Sequence, residues 1–131
     1  MRIVGSFVHS LAVGSALLTA AAVMAGCGPD CRSSCTKLYG NSTQADGSTQ
    51  CQIVVPGKSG DEGRNELIAD CEATCDAAMR NTGEMNGYDP NQKGTGDDIS
   101  INNEKQAAAW MDCVAETSCD NLGKGFCEPH R

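Results

Sequence analysis

Apolar positions recur at helical spacing in the middle of the chain, and between them the polar side chains point elsewhere. The apolar positions are Leu67, Ile68, Cys71, Cys75, Ala78 and Met79. Asp70, Asp76 and Arg80 occupy the other sides of the same helical wheel. The pattern predicts a helix from about Asn65 to Arg80.

An earlier segment carries start and stop signals for another helix. Asp30 is suited to cap its N-terminus, and Gly40 stands just beyond its end. Cys31, Cys35 and Leu38 are spaced i, i+4 and i+7, so both thiols share one face.

A third helix is predicted after Asn103. Gln106 follows Asn103 by three residues, an arrangement similar to a capping box. The helix then runs EKQAAAWMDCVAET. Its predicted inner side holds Trp110, Cys113, Val114 and Thr117. We expect Trp110 to be a core residue.

Polar segments separate these helices. Residues 41–50 and the stretch PGKSGDEG predict loops, and CQIVV at 51–55 predicts a short extended piece. Residues 81–99 are rich in Gly, Asn and Asp and form a long connection, which is typical of functional or mobile segments. After Cys119, we expect Gly123 and Gly125 to allow tight turns.

The chain has little material for a hydrophobic core. After residue 26 it contains three Leu, four Ile, three Val and one Phe. Such a composition normally predicts disorder. The eight cysteines that follow Cys27 reverse that expectation, because crosslinks lower the entropy of the unfolded chain. We therefore predict a mainly α, disulfide-stapled domain of about three helices with long polar loops, over residues 31–131.

The N-terminal segment has the layout of an export signal. Met1-Arg2 is followed by an uncharged run that ends in small residues at Gly26. An uncleaved membrane anchor is the alternative, since about 20 apolar residues span a bilayer. We expect residues 1–26 to be a signal peptide and residues 27–30 to be the N-terminus that carries the anchor.

Met24-Ala25-Gly26-Cys27 resembles the lipobox of bacterial lipoproteins, with Met24 where Leu is usual. The resemblance implies that Cys27 is diacylated and becomes the first residue after cleavage. Gly28 lacks the Asp that often retains such proteins in the inner membrane. The implied location is thus the bacterial cell envelope, on the periplasmic or surface face of the outer membrane. Ordinary cleavage after Ala25 remains the alternative.

The cysteine count supports lipidation. Nine cysteines leave one thiol unpaired in an exported chain. Removal of Cys27 by acylation leaves eight that can pair completely. These are Cys31, Cys35, Cys51, Cys71, Cys75, Cys113, Cys119 and Cys127.

Two Cys-x-x-x-Cys pairs suggest how four of them bond. Residues four apart on a helix lie on the same face. The two cysteines of each pair are therefore poorly placed to bond each other and well placed to bond cysteines on a second helix. Two antiparallel helices would join Cys31 to Cys75 and Cys35 to Cys71, in a geometry similar to α-hairpinins and other twin CxxxC hairpins. The similarity to these hairpins lies in the cysteine spacing alone and implies no shared function.

The last four cysteines permit three pairings. Among them we favour Cys51–Cys113 with Cys119–Cys127.

The residues favour no catalytic, metal or cofactor site. Export argues against reduced zinc thiolates, and no Cys-x-x-Cys turn suits a thiol–disulfide catalyst or haem attachment. Asp89 begins a calcium-like loop, but Lys93 and Ser100 stand where acidic ligands belong. His130 lacks partners for acid–base work.

Charge narrows the possible partners. The net charge is −7, and it becomes −8 when Arg2 leaves with the signal. This balance argues against nucleic acid and against adhesion to anionic lipid. The leading hypothesis is a non-enzymatic binding or structural module, held to the membrane by lipid, with a possible envelope protein as partner. Its candidate contact surface is the 81–99 connection, which carries Tyr88.

Two other functions compete with this hypothesis. A protease inhibitor would present Lys58 or Lys93 from a loop on the rigid scaffold. A thiol–disulfide redox protein is the third possibility, and it would require a readily reducible bridge.

Overall fold

The computed structural model describes residues 28–43, 47, 49–91 and 101–128. They form four helices: α1 (Cys31–Tyr39), α2 (Gly60–Met79), α3 (Glu104–Glu116) and α4 (Cys119–Gly123). Two isolated β-bridges are the only β-structure in these residues. The mainly α, disulfide-stapled class expected from the sequence is confirmed. The predicted signal peptide and Cys27 lie outside the described residues.

α1 begins and ends as the sequence predicts. Asp30 Oδ1 accepts a hydrogen bond from the Ser33 N–H at 2.6 Å, and the Asp30 N–H donates to Ser33 Oγ at 3.0 Å. This reciprocal capping box fixes the direction in which the chain enters the helix. At the other end, a Cβ on Gly40 would lie 2.6 Å from the Thr36 carbonyl oxygen and would also overlap the Gln50 side chain, so the position favours glycine.

α2 begins five residues earlier than predicted. The loop expected for PGKSGDEG is wrong over residues 60–63, which form the first turn of the helix. Asp61 and Glu62 lie in that turn, where the positive end of the helix dipole favours carboxylates. Gly63 packs against the backbone of Lys58. A pattern of apolar side chains cannot predict such a contact, because glycine has no side chain.

α3 uses a variant of the predicted cap. Asn103 accepts hydrogen bonds from the backbone N–H groups of Lys105 and Gln106. The Gln106 side chain accepts from the N–H of Asn102 at 2.8 Å, one residue before the expected position.

The three long helices run up, down and up. α1 and α2 are antiparallel, and both bridges expected between them are present: Cys31–Cys75 and Cys35–Cys71, with Cα separations of 5.6 and 5.8 Å. The N-terminus of α3 lies at the C-terminal end of α2, because the Glu104 N–H donates to the Asn81 carbonyl at 2.9 Å.

Sulfur supplies much of the interior. Six of the fifteen buried hydrophobic residues are cysteines. They belong to the same hydrophobic cluster as Trp110, which has no exposed surface and donates from Nε1 to the Cys127 carbonyl at 3.1 Å. The expectation that Trp110 is a core residue is confirmed, and the bridges replace aliphatic packing as well as constraining the chain.

The other two bridges correct the sequence prediction. The pairs are Cys51–Cys119 and Cys113–Cys127, not Cys51–Cys113 and Cys119–Cys127. The 51–55 segment runs beside α1, since the Cys51 N–H donates to the Lys37 carbonyl at 2.7 Å. This path brings Cys51 to the start of α4, where Cys119 lies.

Cys127 is held against α3 instead. Its N–H donates to the Pro90 carbonyl at 3.1 Å, and its carbonyl receives the Trp110 bond. Cys113, on the same side of α3 as Trp110, is therefore its neighbour. The tail also includes the short helix α4, and of the two glycines expected to allow tight turns only Gly125 takes a positive φ, 94°.

Candidate functional site

The structure describes the first part of the long polar connection, residues 81–91, which we call the 81–91 loop. It follows α2 and lies against α3. Its side chains alternate between exposed and half-buried positions. The remainder of the connection, residues 92–100, lies outside the described residues.

The start of the loop is bonded to both neighbouring helices. The Asn81 N–H donates to the Ala78 carbonyl at 3.0 Å, which closes a turn at the C-terminal end of α2. The Asn81 carbonyl accepts from Glu104, and the Asn81 side chain donates to the Asn102 carbonyl at 3.3 Å. The loop therefore leaves α2 in a fixed direction.

The capping residues of α3 also hold the middle of the loop. Asn103 Nδ2 donates to the Glu84 carbonyl at 3.0 Å, and Gln106 Nε2 donates to the Met85 carbonyl at 3.3 Å. A Cβ on Gly83 would lie 2.7 Å from the Asn103 side chain, so glycine permits this approach. Sequence reasoning assigned Asn103 and Gln106 to the helix alone. The sequence does contain a sign of this second role. An Asn or Gln side chain that caps a helix uses its amide oxygen, and its NH₂ group keeps two donors for another partner.

The tip of the loop is a tight turn at Asn86-Gly87. Both residues have positive φ, 47° and 78°, and the Tyr88 N–H donates to the Met85 carbonyl at 2.8 Å. This geometry is that of a type I′ turn, for which Asn-Gly is the favoured pair. Both tip residues are exposed. The loop thus presents one defined backbone shape to solvent.

Tyr88 packs inward, although the sequence suggested it as a contact residue. Its ring lies against the core, and its hydroxyl is buried without a hydrogen-bond partner among the described residues. Burial raises the pKa of this hydroxyl well above its usual value. The exposed side chains of the loop belong instead to Asn81, Thr82, Glu84, Asn86, Asp89 and Asn91.

The loop ends in a second fixed turn. Asp89 Oδ1 accepts from the Asn91 N–H at 2.9 Å, and the Pro90 carbonyl accepts from Cys127. These bonds make Asp89 a turn-stabilising residue, while Lys93 and Ser100 of the calcium-like sequence lie outside the described residues. No group of three or more His, Cys, Asp or Glu residues in the described part of the chain is arranged to hold a metal ion.

The other sequence candidates lie elsewhere. Lys58 forms an ion pair with Glu66, and its N–H donates to the Val55 carbonyl at 3.0 Å. The ammonium of Lys58 is therefore engaged in an ion pair and its backbone in a tight turn, whereas the inhibitor hypothesis requires a Lys58 side chain that is presented to a protease. Lys93 and His130 lie outside the described residues.

Comparisons with known proteins add no relative. No family model, no curated protein and no solved structure matches the chain. Among the helices in the described ranges, none is long and apolar enough to cross a membrane.

Proposed function

We propose that this chain is a lipid-anchored protein of the bacterial cell envelope, without enzymatic activity, that binds a partner protein through the 81–91 loop. The disulfide-stapled helices serve as a rigid support for the loop. The lipid on Cys27 holds that support at a membrane, with the outer membrane as the proposed location.

The observation that carries the proposal is the cysteine balance. Four bridges consume all eight cysteines that follow Cys27. The chain contains nine cysteines, so Cys27 is the one that these bridges leave over. It is also the cysteine at the end of the lipobox-like sequence. Disulfides of this number favour an oxidising compartment, which agrees with export.

The fixed shape of the 81–91 loop supports the binding role. A loop that is ordered before binding loses less conformational entropy when a partner is bound. Backbone hydrogen bonds connect this loop to α2, to α3 and to Cys127. Its exposed groups are mainly polar, which suits the hydrogen-bonded contacts found at protein interfaces.

Intact mass tests the anchor. Native protein is purified from membranes and weighed before and after reduction, with the C27S variant as a control. We expect diacylglyceryl mass on Cys27 in the native protein and its absence in C27S. An unacylated chain that starts at Gly26 would refute the anchor.

Site-specific crosslinking tests the binding role. A photoreactive residue at Asn86 is compared with one at Asn121, which is exposed on α4. We expect one envelope protein to be captured at position 86 and not at 121. With that partner purified, N86D should weaken binding at least about tenfold, equivalent to ~1.4 kcal/mol, whereas N121D adds the same charge and should not. Equal effects of the two substitutions would refute the loop as the contact surface.

A further inference from the structure

The proposed anchor lies very close to the folded domain. Only Gly28, Pro29 and Asp30 separate Cys27 from α1. Even fully extended, three residues span at most about 11 Å. Asp30 is already fixed to the helix by its capping box with Ser33. One end of the domain is therefore held within a short distance of the lipid.

The bridges and hydrogen bonds show which residues share that end. Cys75 lies level with Cys31 because the two are bonded. α2 continues four residues beyond Cys75, to Met79. At 1.5 Å per residue this is about 6 Å further along the helix. α3 begins at the same end, where Glu104 bonds to Asn81. We call residues 28–34, 76–85 and 101–106 the anchor-side end.

Charge distinguishes the anchor-side end from the other described residues. It carries three cations and four anions: Arg32, Arg80, Lys105, Asp30, Asp76, Glu84 and Glu104. The other described residues carry four cations and ten anions. Most of the acidic excess of the described residues, which opposes adhesion to anionic lipid, therefore lies away from the anchor. A nearly neutral end can approach a negatively charged membrane surface at little electrostatic cost.

The anchor-side end also exposes an apolar side chain. Met79 is 42% exposed in the last turn of α2, and Val54 is the other large hydrophobic side chain that is exposed among the described residues. Arg80 follows Met79 and is exposed. A flexible thioether beside a long cationic side chain suits the boundary between headgroups and acyl chains.

We propose that the anchor-side end lies against the lipid headgroups, with Met79 at the membrane interface. This orientation rests on the proposed acylation of Cys27. It directs the 51–55 segment and α4 away from the membrane, because Lys37 joins the C-terminal end of α1 to that of α3. The 81–91 loop starts beside the membrane and runs along α3 toward Cys113, where Pro90 lies. Its tip is then open to a partner that approaches from the side.

Paramagnetic broadening measures this orientation. The acylated, isotope-labelled protein is placed in phosphatidylcholine nanodiscs that contain a gadolinium-chelating lipid. We expect backbone amide signals of Arg32, Arg80 and Lys105 to lose at least half their intensity relative to a diamagnetic lanthanide. Signals of Lys58 and Lys124 should keep theirs.

Two variants test the role of Met79. M79E should reduce the broadening at Arg80, because a carboxylate is expelled from the interface. V54E makes the same change at the other exposed apolar side chain and should leave the broadening pattern unchanged. Equal patterns in both variants would refute the contact of Met79 with lipid.

The outcomes separate the orientation from the anchor. Uniform broadening of an acylated protein, or stronger broadening at Lys58 and Lys124, would overturn the orientation while the anchor stands. A mass spectrum without acyl chains would overturn the anchor and this orientation together.

Discussion

The ammonium of Lys37 donates to the Val114 carbonyl at 2.7 Å and so closes the C-terminal end of α3 from the neighbouring α1. The same nitrogen reaches the carbonyls of Ala115 and Thr117 at 2.8 and 3.0 Å. These carbonyls lie at the end of α3, where a cation is favoured by the helix dipole. Partial burial lowers the pKa of Lys37, whereas the three acceptors favour its charged form. One side chain thus joins two helices.

Replacement of Lys37 tests this connection. K37M keeps most of the aliphatic stem and removes the donor, which leaves partly buried carbonyls without their charged partner. We expect the free energy of unfolding to fall by about 1–3 kcal/mol in urea titrations of the oxidised protein. K105M removes an exposed partner of Glu84 and should cost at most about 1 kcal/mol. Equal losses would contradict a special role for Lys37.

The cap at Asp30 predicts a pH-dependent contribution to stability. The N–H and the hydroxyl of Ser33 hold the pKa of Asp30 below its ordinary value of 3.8. A lowered folded pKa means that the carboxylate stabilises the fold fully above 3.8 and that this contribution is lost as pH falls through the folded pKa.

We therefore expect D30A to cost about 1 kcal/mol at pH 7 and clearly less at pH 2, measured by denaturation at each pH. D30N keeps a capping oxygen without a charge, so its cost at pH 7 should be smaller than that of D30A, and the difference between the two variants should be nearly constant with pH. A D30A penalty that does not change with pH would contradict the role of the charge.

The buried hydroxyl of Tyr88 predicts a substitution that costs little. A hydroxyl removed from water without a hydrogen bond is unfavourable, so Y88F should leave the free energy of unfolding unchanged or raise it by up to about 1 kcal/mol. Y88A should lower it by several kcal/mol through lost packing. A marked loss in Y88F would show that the hydroxyl is hydrogen-bonded in solution.

The backbone conformation at the tip of the 81–91 loop requires glycine at position 87. Gly87 has φ 78°, so G87A should destabilise the protein by about 1–2 kcal/mol although no atom lies near the added Cβ. Gly123 also has open space around it but does not take a positive φ. G123A should therefore be neutral or slightly stabilising in the same thermal denaturation experiment.

Exposure predicts the order in which the bridges open. Cys51 and Cys119 are both half-buried, whereas the cysteines of the other three bridges are buried. Under limiting phosphine reductant, followed by alkylation and peptide mapping, we expect Cys51 and Cys119 to be modified first. The same map checks the pairing. First modification at Cys31 and Cys75 would contradict the prediction, and rapid exchange of any bridge with a glutathione buffer would favour the redox hypothesis.

Complete reduction tests what the bridges contribute to folding. The Cys51–Cys119 bridge spans a sequence separation of 68 residues, and the chain-entropy model assigns such a loop about 4 kcal/mol. A small domain has only about 5–15 kcal/mol of net stability. We expect helical circular dichroism to be lost when all four bridges are reduced. A reduced protein that keeps its helices would show that the apolar core suffices.

The sequence by itself determined the features that depend on neighbouring residues. The ends of α1, the start of α3 and the pairing of Cys31 with Cys75 and Cys35 with Cys71 all follow from capping side chains or from spacing along one helix. The turn at Asn86-Gly87 belongs to the same group, since two adjacent residues specify it. The caps and the turn act within a few positions, and the two Cys-x-x-x-Cys spacings each place two sulfurs on one face of a helix. These signals are therefore present in the order of the amino acids.

Tertiary structure alone decided the features that depend on where distant segments pass. The path of the 51–55 segment beside α1 placed Cys51 next to Cys119, and the bonds to Pro90 and Trp110 placed Cys127 next to Cys113. Lys37 bonds to the end of α3, nearly eighty residues away in the sequence, and the ring of Tyr88 packs against the core. The spacing of cysteines cannot select among such pairings, because the entropy of loop closure changes only slowly with loop length. The pairing therefore depends on how the segments pack.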